Sequence, residues 1–329
     1  MKRLQLIAAL ASLGFAASAN AAGDDLESRV TASDGWAAYH VPRIAGAGQP
    51  CCFVIRGSAP IEKGCNLDER SWSFGSDDDR AATALDGTLA VYLRVEHGRV
   101  ERVRAVSASC PVRTASTVRW IEPVDPSSSV AMLSSLLDRN PAGDPDDHGL
   151  VALAYHADPS ATRALAARAE PSHRRKEREQ ALFWLGQTRG AEGADVVERY
   201  ATTDADPKVR EHAIFALSQS NAPDAYAHIL TIAHSDPAEH VRGQALFWLA
   251  QIGDARAKDD IIASLRTESS DRVRKQAVFA LSQLEDAADD ALIAVLRGDY
   301  PRAVKKQALF WLGQSGSPRA MAYFDEALR

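Results

Sequence analysis

The sequence predicts a mainly α protein, a right-handed α-solenoid of helix pairs preceded by a small β-rich domain that contains disulfides. Three observations lead there. An octapeptide recurs along the second half: QALFWLGQ begins at Gln180, HAIFALSQ at His212, QALFWLAQ at Gln244, QAVFALSQ at Gln276 and QALFWLGQ at Gln307, so the interval is 32 residues three times and then 31. All four cysteines, Cys51, Cys52, Cys65 and Cys110, precede these repeats. Between residues 89 and 107 the pattern has period two, as in a β-hairpin.

Composition agrees with a globular chain. With 329 residues, 46% hydrophobic, 25% charged, 20 Gly and 15 Pro, collagen-like, low-complexity and polytopic membrane readings are excluded. The formal charge of -6 leaves no electrostatic footprint for a polyanion, so no nucleic-acid partner is expected.

Residues 1–21 read as a signal peptide. Met1-Lys2-Arg3 is a basic start, Leu4 to Ala17 is an apolar run, and Ala19-Asn20-Ala21 fits the small-x-small cleavage rule. The apolar run is too short to span a bilayer, so no stable membrane insertion is expected after cleavage. Cleavage removes Lys2 and Arg3 and no acid, giving a mature charge of -6 - 2 = -8. The expected location is secreted or periplasmic.

Residues 24–125 form the expected β-rich domain. Leu89, Val91, Leu93 and Val95 alternate with Ala90, Tyr92, Arg94 and Glu96, His97-Gly98 supplies a two-residue turn, and Val103, Ala105 and Ser107 continue on the return strand. Trp36 to Val41, Cys51 to Arg56 and Thr117 to Glu122 are further strands, with a turn-rich acidic stretch at Gly75 to Asp79. In an exported domain the four cysteines are expected in two disulfides rather than around zinc, because no CxxC knuckle is present. On a strand Cys51 and Cys52 point to opposite faces, so each takes a different partner from Cys65 and Cys110; which takes which is open. Trp36, Tyr39, His40, Trp72 and Trp120 are expected as core rather than as an aromatic ligand site.

A helix at Ser129 to Leu137 and a loop at Asn140 to Gly149 fill residues 126–148. Residues 149–329 are the solenoid, with Ala152 to His156 occupying the repeat slot in degenerate form as a cap. Each unit holds two helices. One runs from Lys208 to Ser220, opened by Asp206 as N-cap and Pro207 at its first position. The partner helices are expected at Ala222 to Ile232, Arg256 to Leu265, Ala287 to Leu296 and Pro318 to Leu328.

At 100° per residue the octapeptide helix sorts its faces. With Gln180 at 0°, Ala181, Leu185 and Arg178 define a buried direction near 120°, and Trp184 and Leu182 flank it toward neighbouring repeats. Phe183 falls at about 300°, opposite the core, and recurs as Phe215, Phe247, Phe279 and Phe310. Gln187, Gln219, Gln251, Gln283 and Gln314 edge the same row. These ten residues are the candidate partner-binding surface, with mutual packing of the Phe rings as the alternative. The residue after each Phe alternates as Trp184, Ala216, Trp248, Ala280 and Trp311, which reads as packing. Arg178, Arg210, Arg242, Arg274 and Lys305 are expected to bond loop carboxylates or carbonyls.

Val209-Arg210 with Ala213 and Leu217, Val241-Arg242 with Ala245 and Leu249, and Val273-Arg274 with Ala277 and Leu281 resemble the VRxxAxxxL signature of HEAT repeats. The short period is similar to the compact variety of phycobilin lyases, and the whole layout resembles exported bacterial HEAT-repeat proteins. That resemblance implies a non-enzymatic scaffold with the VRxxA helices lining a concave face that binds a protein or peptide. HEAT-like hydroxylases bind di-iron through His-Glu pairs, but here Glu96-His97, Glu211-His212 and Glu239-His240 run in the reverse order at unequal slots. No cofactor or metal is therefore expected. The alternative is that the N-terminal domain is a ligand or metal sensor or an enzyme that the solenoid presents.

Overall fold

The computed structural model describes residues 25–327 apart from 57–58, 70–73, 77–84, 86, 140–147, 221 and 285–286. The expected signal peptide with its cleavage site, Trp72 and most of the 140–149 loop lie outside the described residues. The chain forms two compact units, one up to Trp184 and one from Leu185.

The first unit opens with a short helix, α1 (25–30). Among the described residues nine strands follow: β1 (Gly35–Pro42), β2 (Pro50–Arg56), β3 (Ala59–Lys63), β4 (Cys65–Asn66), β5 (Phe74–Ser76), β6 (Thr88–Glu96), β7 (Arg99–Ser107), β8 (Val112–Arg113) and β9 (Val118–Trp120). The main sheet has the order β7-β6-β1-β9, antiparallel except for the parallel β1/β9 pair. His97 and Gly98 both take positive φ, 53° and 72°, the conformation a two-residue hairpin turn requires. The Thr117–Glu122 expectation shortens to β9, because this edge strand pairs only with Trp36 to Ala38. Gly75 and Ser76, expected in a turn, belong to β5 and pair with Cys51 and Pro50.

Both faces of the main sheet are covered. On one, Tyr39, Val91, Leu93 and Ala105 are wholly buried, and the Tyr39 hydroxyl shares a 2.9 Å hydrogen bond with Ser129 of α2 (Pro126–Arg139). On the other, Trp36, Ala38, Ala90, Tyr92 and Val106 pack against the cysteines. Cys51 is bonded to Cys110 and Cys52 to Cys65. The vicinal cysteines thus take separate partners, as their opposite strand faces require. The helices α3 (Gly149–Tyr155) and α4 (Ser160–Arg168) then lead into α5 (Arg175–Thr188).

The second unit is built from helix pairs. After α6 (Gly190–Thr203) come α7 (Pro207–Ser218) with α8 (Ala225–Ser235), α9 (Glu239–Gln251) with α10 (Ala257–Thr267), α11 (Asp271–Leu281) with α12 (Ala288–Arg297), and α13 (Arg302–Ser315) with α14 (Pro318–Ala327). The fold is mostly helical, with the strands confined to the N-terminal region. Asp206 caps α7 by accepting from the Lys208 N–H, and Pro207 sits in its first turn. The helix α8 begins at Ala225 rather than Ala222, since the residue before Pro223 is disfavoured in the α conformation. Neither α4 nor α6 stands out in the sequence; the two glycines of α6, Gly190 and Gly193, disguise its helical pattern.

Candidate partner-binding surface

The VRxxA pattern supplies the core of the second unit. Val209, Val241, Val273 and Val304 are buried, as are Ala213, Ala245, Ala277 and Ala308 one turn on and Leu217, Leu249, Leu281 and Leu312 beyond them. The flanking positions Ile214, Leu246 and Val278 are also buried, so two sides of each helix are covered. The remaining side carries the phenylalanines.

Phe215, Phe247 and Phe279 are half-buried, and Phe310 at the end of the row is 52% exposed. Gln187, Gln219, Gln251 and Gln314 are exposed and Gln283 is half-buried. In the first unit, Phe183 is half-buried with its ring 5.0 Å from Trp184.

Within the second unit the rings form one ladder. Phe215 lies 4.8 Å from Trp248, Trp248 5.0 Å from Phe247, Phe247 5.8 Å from Phe279, Phe279 5.1 Å from Trp311 and Trp311 5.1 Å from Phe310. The alternating Trp/Ala column sets the rule of contact. Where the next repeat brings Trp, as at Trp248 and Trp311, the preceding Phe packs on that indole; where it brings Ala280, Phe247 stacks directly on Phe279 with the planes 3° apart. Such contacts each contribute about 0.5–1.5 kcal/mol beyond area burial. The row is therefore both a packed ladder and a partly exposed surface.

Beside the ladder lies a groove of about 400 Å³ with Phe247 and Phe279 in its lining and Lys208, Glu211, Glu239, His240 and Arg272 around it. Lys208 pairs with Glu211 at 2.7 Å, and Glu211 also accepts from Gln244. The Nε2 atom of His240 is buried with no hydrogen-bond partner in the structure.

The cation column holds the helix pairs together rather than facing outward. Arg210 grips Asp236 with Nε and Nη2 at 2.7 and 2.9 Å and donates from Nη1 to the Asp204 carbonyl. One repeat on, Arg242 grips Glu268 in the same bidentate way and donates to the Asp236 carbonyl. Asp236 and Glu268 each also accept a backbone N–H two residues on, from Ala238 and Ser270. Burial pushes the Glu268 carboxyl up, but the Arg242 and Ser270 bonds outweigh it and hold the group below its ordinary value. In the first unit Arg178 donates to the Ala169 carbonyl. The pattern stops at Arg274, which bonds Asp271 of its own helix, because Tyr300 stands where Asp236 and Glu268 stood. The paired carboxylates were not singled out in the sequence, although Asp204, Asp236 and Glu268 recur at the repeat interval.

In the N-terminal unit the expectation of an all-core aromatic set is corrected in part. Trp36 and Tyr39 are buried, with the Trp36 indole N–H donating to Asp68. Trp120, by contrast, is 46% exposed and stacks on the His40 ring at 4.3 Å, because β9 is a three-residue strand at the edge of the sheet and no further strand among the described residues pairs with it to cover the indole. His40 Nδ1 lies 2.6 Å from Glu122. The sulfurs of Cys51, Cys65 and Cys110 gather within 4.8 Å, yet each belongs to a disulfide and offers no thiolate to a metal.

HEAT repeats match residues 162–246 and 226–293. No curated protein matches the chain in sequence at a significant level. Among solved structures, human deoxyhypusine hydroxylase in complex with glycerol is 17% identical over 57% of this chain and 84% of its own, with a TM-score of 0.28. An engineered protein is 18% identical over 60% and 92%, with a TM-score of 0.32. The CpcE–CpcF complex of phycocyanin lyase from Nostoc sp. PCC7120 is 17% identical over 62% and 94%, with a TM-score of 0.31. Likeness at that level does not extend to activity.

Proposed function

The chain is a HEAT-repeat protein, and from that premise we propose that it is an exported, non-enzymatic scaffold that binds a protein or peptide partner along the Phe and Gln row of its VRxxA helices. The observation that carries this reading is the aromatic ladder from Phe215 to Phe310, half-buried and then exposed on the one helix side that the core leaves open. A helix face without a surface role carries polar residues there. Rows of exposed apolar side chains mark interaction sites, and solenoids present them to extended partners.

Export is supported by the two disulfides, which persist in oxidising compartments, and places the protein in the periplasm or medium. No described helix is long and apolar enough to cross a membrane. Intact mass of the mature protein tests cleavage, with a start at or near Ala22 expected.

The binding reading is tested with a photo-cross-linker placed at Gln251 on the proposed face or at Lys258 on α10, in the native host, combined with Phe215→Ser, Phe247→Ser and Phe279→Ser. A defined partner captured from Gln251, absent from Lys258 and lost in the triple variant at unchanged helicity, is the expected result. Equal capture from both positions, or capture that survives the triple variant, overturns it.

A second reading has one observation behind it: the exposed Trp120 stacked on His40 beside Glu122 offers an aromatic platform to a ligand of the N-terminal domain. It predicts partner capture that fails with Trp120→Ala and survives the Phe substitutions.

A further inference from the structure

The charge along the proposed face is not uniform, and its drift points to the chemistry of the partner. In α7 two cations, Lys208 and Arg210, stand against Glu211, and in α9 Arg242 stands against Glu239. In α11 three cations, Arg272, Arg274 and Lys275, stand against Asp271 alone, and α13 has Arg302, Lys305 and Lys306 with no acid. The net charge of these helices therefore runs +1, 0, +2, +3. The second helices of the same pairs do not share the drift: α10 is neutral, and α12 and α14 are each -1.

The cations at the basic end are also unspent. Lys208, Arg210, Arg242, Arg297 and Arg319 all sit in ion pairs. Arg272, Lys275, Arg302 and Lys306 are exposed and make no ion pair among the described residues. Their position matches the ring row. Lys275 and Lys306 lie one helical turn before Phe279 and Phe310, on the same side of their helices, and Arg272 lines the groove that holds Phe247 and Phe279. In a protein of net charge -6, four free cations beside an exposed Phe are a local reversal of sign.

We propose that the α11–α13 end of the ring row binds an acidic peptide segment whose apolar side chains alternate with carboxylates. The apolar groups lie on Phe279, Trp311 and Phe310, and the carboxylates face Arg272, Lys275, Arg302 and Lys306. This rests on the reading of the Phe row as the binding face and adds the sign and composition of what occupies it. An anionic lipid surface or a duplex nucleic acid would satisfy the cations but leave the ring ladder unused, and a single strand, whose bases stack on aromatic rings, is the competing occupant that the test separates from the peptide.

The test uses the mature full chain and fluorescence anisotropy with a labelled Glu-Leu repeat peptide, a Lys-Leu counterpart and a Glu-Ser counterpart. The Glu-Leu probe is expected to bind, more weakly as salt rises, and the other two to bind at least about tenfold less well. Lys275→Glu with Lys306→Glu leaves Arg272 and Arg302 against two carboxylates and is expected to abolish the preference for Glu-Leu, and adding Arg272→Glu with Arg302→Glu is expected to invert it toward Lys-Leu, a gain that only a folded variant can show. Phe279→Ser is expected to weaken the Glu-Leu probe without inverting the sign. Should the charge swap leave Glu-Leu binding unchanged while Phe279→Ser removes it, the acidic partner is wrong and the ring-row reading stands. Should the probe bind and neither variant change it, both are wrong. Failure of the Glu-Leu probe to bind, or binding of phosphatidylglycerol vesicles or single-stranded DNA as tight and as sensitive to the charge swap as that of the peptide, overturns the peptide assignment.

Discussion

Replacing Arg210 by Met tests how the repeats are held in register. Asp236 has a side-chain exposure of 3%, and the substitution strips it of two charged hydrogen bonds, leaving only the Ala238 N–H at 2.8 Å. The Asp204 carbonyl loses its Nη1 donor as well. A buried carboxylate left without its cation costs about 3–5 kcal/mol. Arg242→Met uncovers Glu268, whose side chain is 10% exposed, and is expected to cost about 2–3 kcal/mol, nearer the lower bound for a buried pair. Urea unfolding followed by helical circular dichroism gives the size, and native-state hydrogen exchange locates the loss in α7 to α9. Combining Arg210→Met with Asp236→Leu removes both charges, so the double variant is expected to lose only about 2 kcal/mol, the worth of the bonds made by the Ala238 N–H and the Asp204 carbonyl. An Arg210→Met loss below about 1 kcal/mol, typical of a surface pair, refutes the buried-pair reasoning. So does a double variant that loses the sum of its parts.

Three further outcomes follow from the structure. The disulfides close chain segments of 59 and 13 residues, so loss of Cys51–Cys110 is expected to cost about 4 kcal/mol and loss of Cys52–Cys65 about 3 kcal/mol; both losses belong to the N-terminal unit, and proteolysis that spares α7 to α14 after reduction checks this. Burial and the nearby Arg104 push the His148 imidazole down to about 3 from 6.5. The unfolded chain therefore takes up a proton that the folded one refuses, and the contribution is intact above pH 6.5 and lost as pH falls below it. About 2 kcal/mol is lost by about pH 5, and His148→Gln is expected to flatten that slope; equal slopes would count against it. At Gly186 a Cβ would lie 2.5 Å from the Ala216 carbonyl oxygen, so Gly186→Ala is expected to cost about 1–3 kcal/mol, whereas Gly313→Ala, with open space around it inside α13, is expected to raise stability by about 0.5–1 kcal/mol through helix propensity.

The helical half was legible because its signals repeat. Any one of Val209, Ala213 and Leu217 is an ordinary apolar residue, but the same trio at Val241 and Val273 fixes a face, and the Arg column was readable as structural for the same reason. A helical wheel gives direction and not distance, so it left open whether Phe247 would meet solvent or Phe279; the structure has it doing both. The carboxylate partners escaped notice because Asp236 and Glu268 differ in type and lie in turns, where acids are common. In the N-terminal domain the long strands β1, β6 and β7 were readable from alternation, whereas β4, β5, β8 and β9 have two or three residues each, too few for a period to show. Trp120 was misplaced in the core since strand patterning does not say which strand lies at the edge.

The alternation of Trp and Ala gives the second unit a grammar of pairs. Phe215 needs an indole from the repeat behind it, and Phe247 needs a benzyl ring. Excising residues 244–275 keeps the repeat register yet sets Ala280 where Trp248 had been, so Ala216 is followed by Ala280 and the junction lacks the indole on which Phe215 packs. Excising 244–306 instead delivers Trp311 to Phe215. The shorter chain is then expected to be the better matched at that junction, with a higher melting temperature than the chain lacking one repeat. Single repeats are thus not interchangeable parts here: the chain is expected to tolerate growth and shortening by twos, and an odd step leaves a mismatched seam.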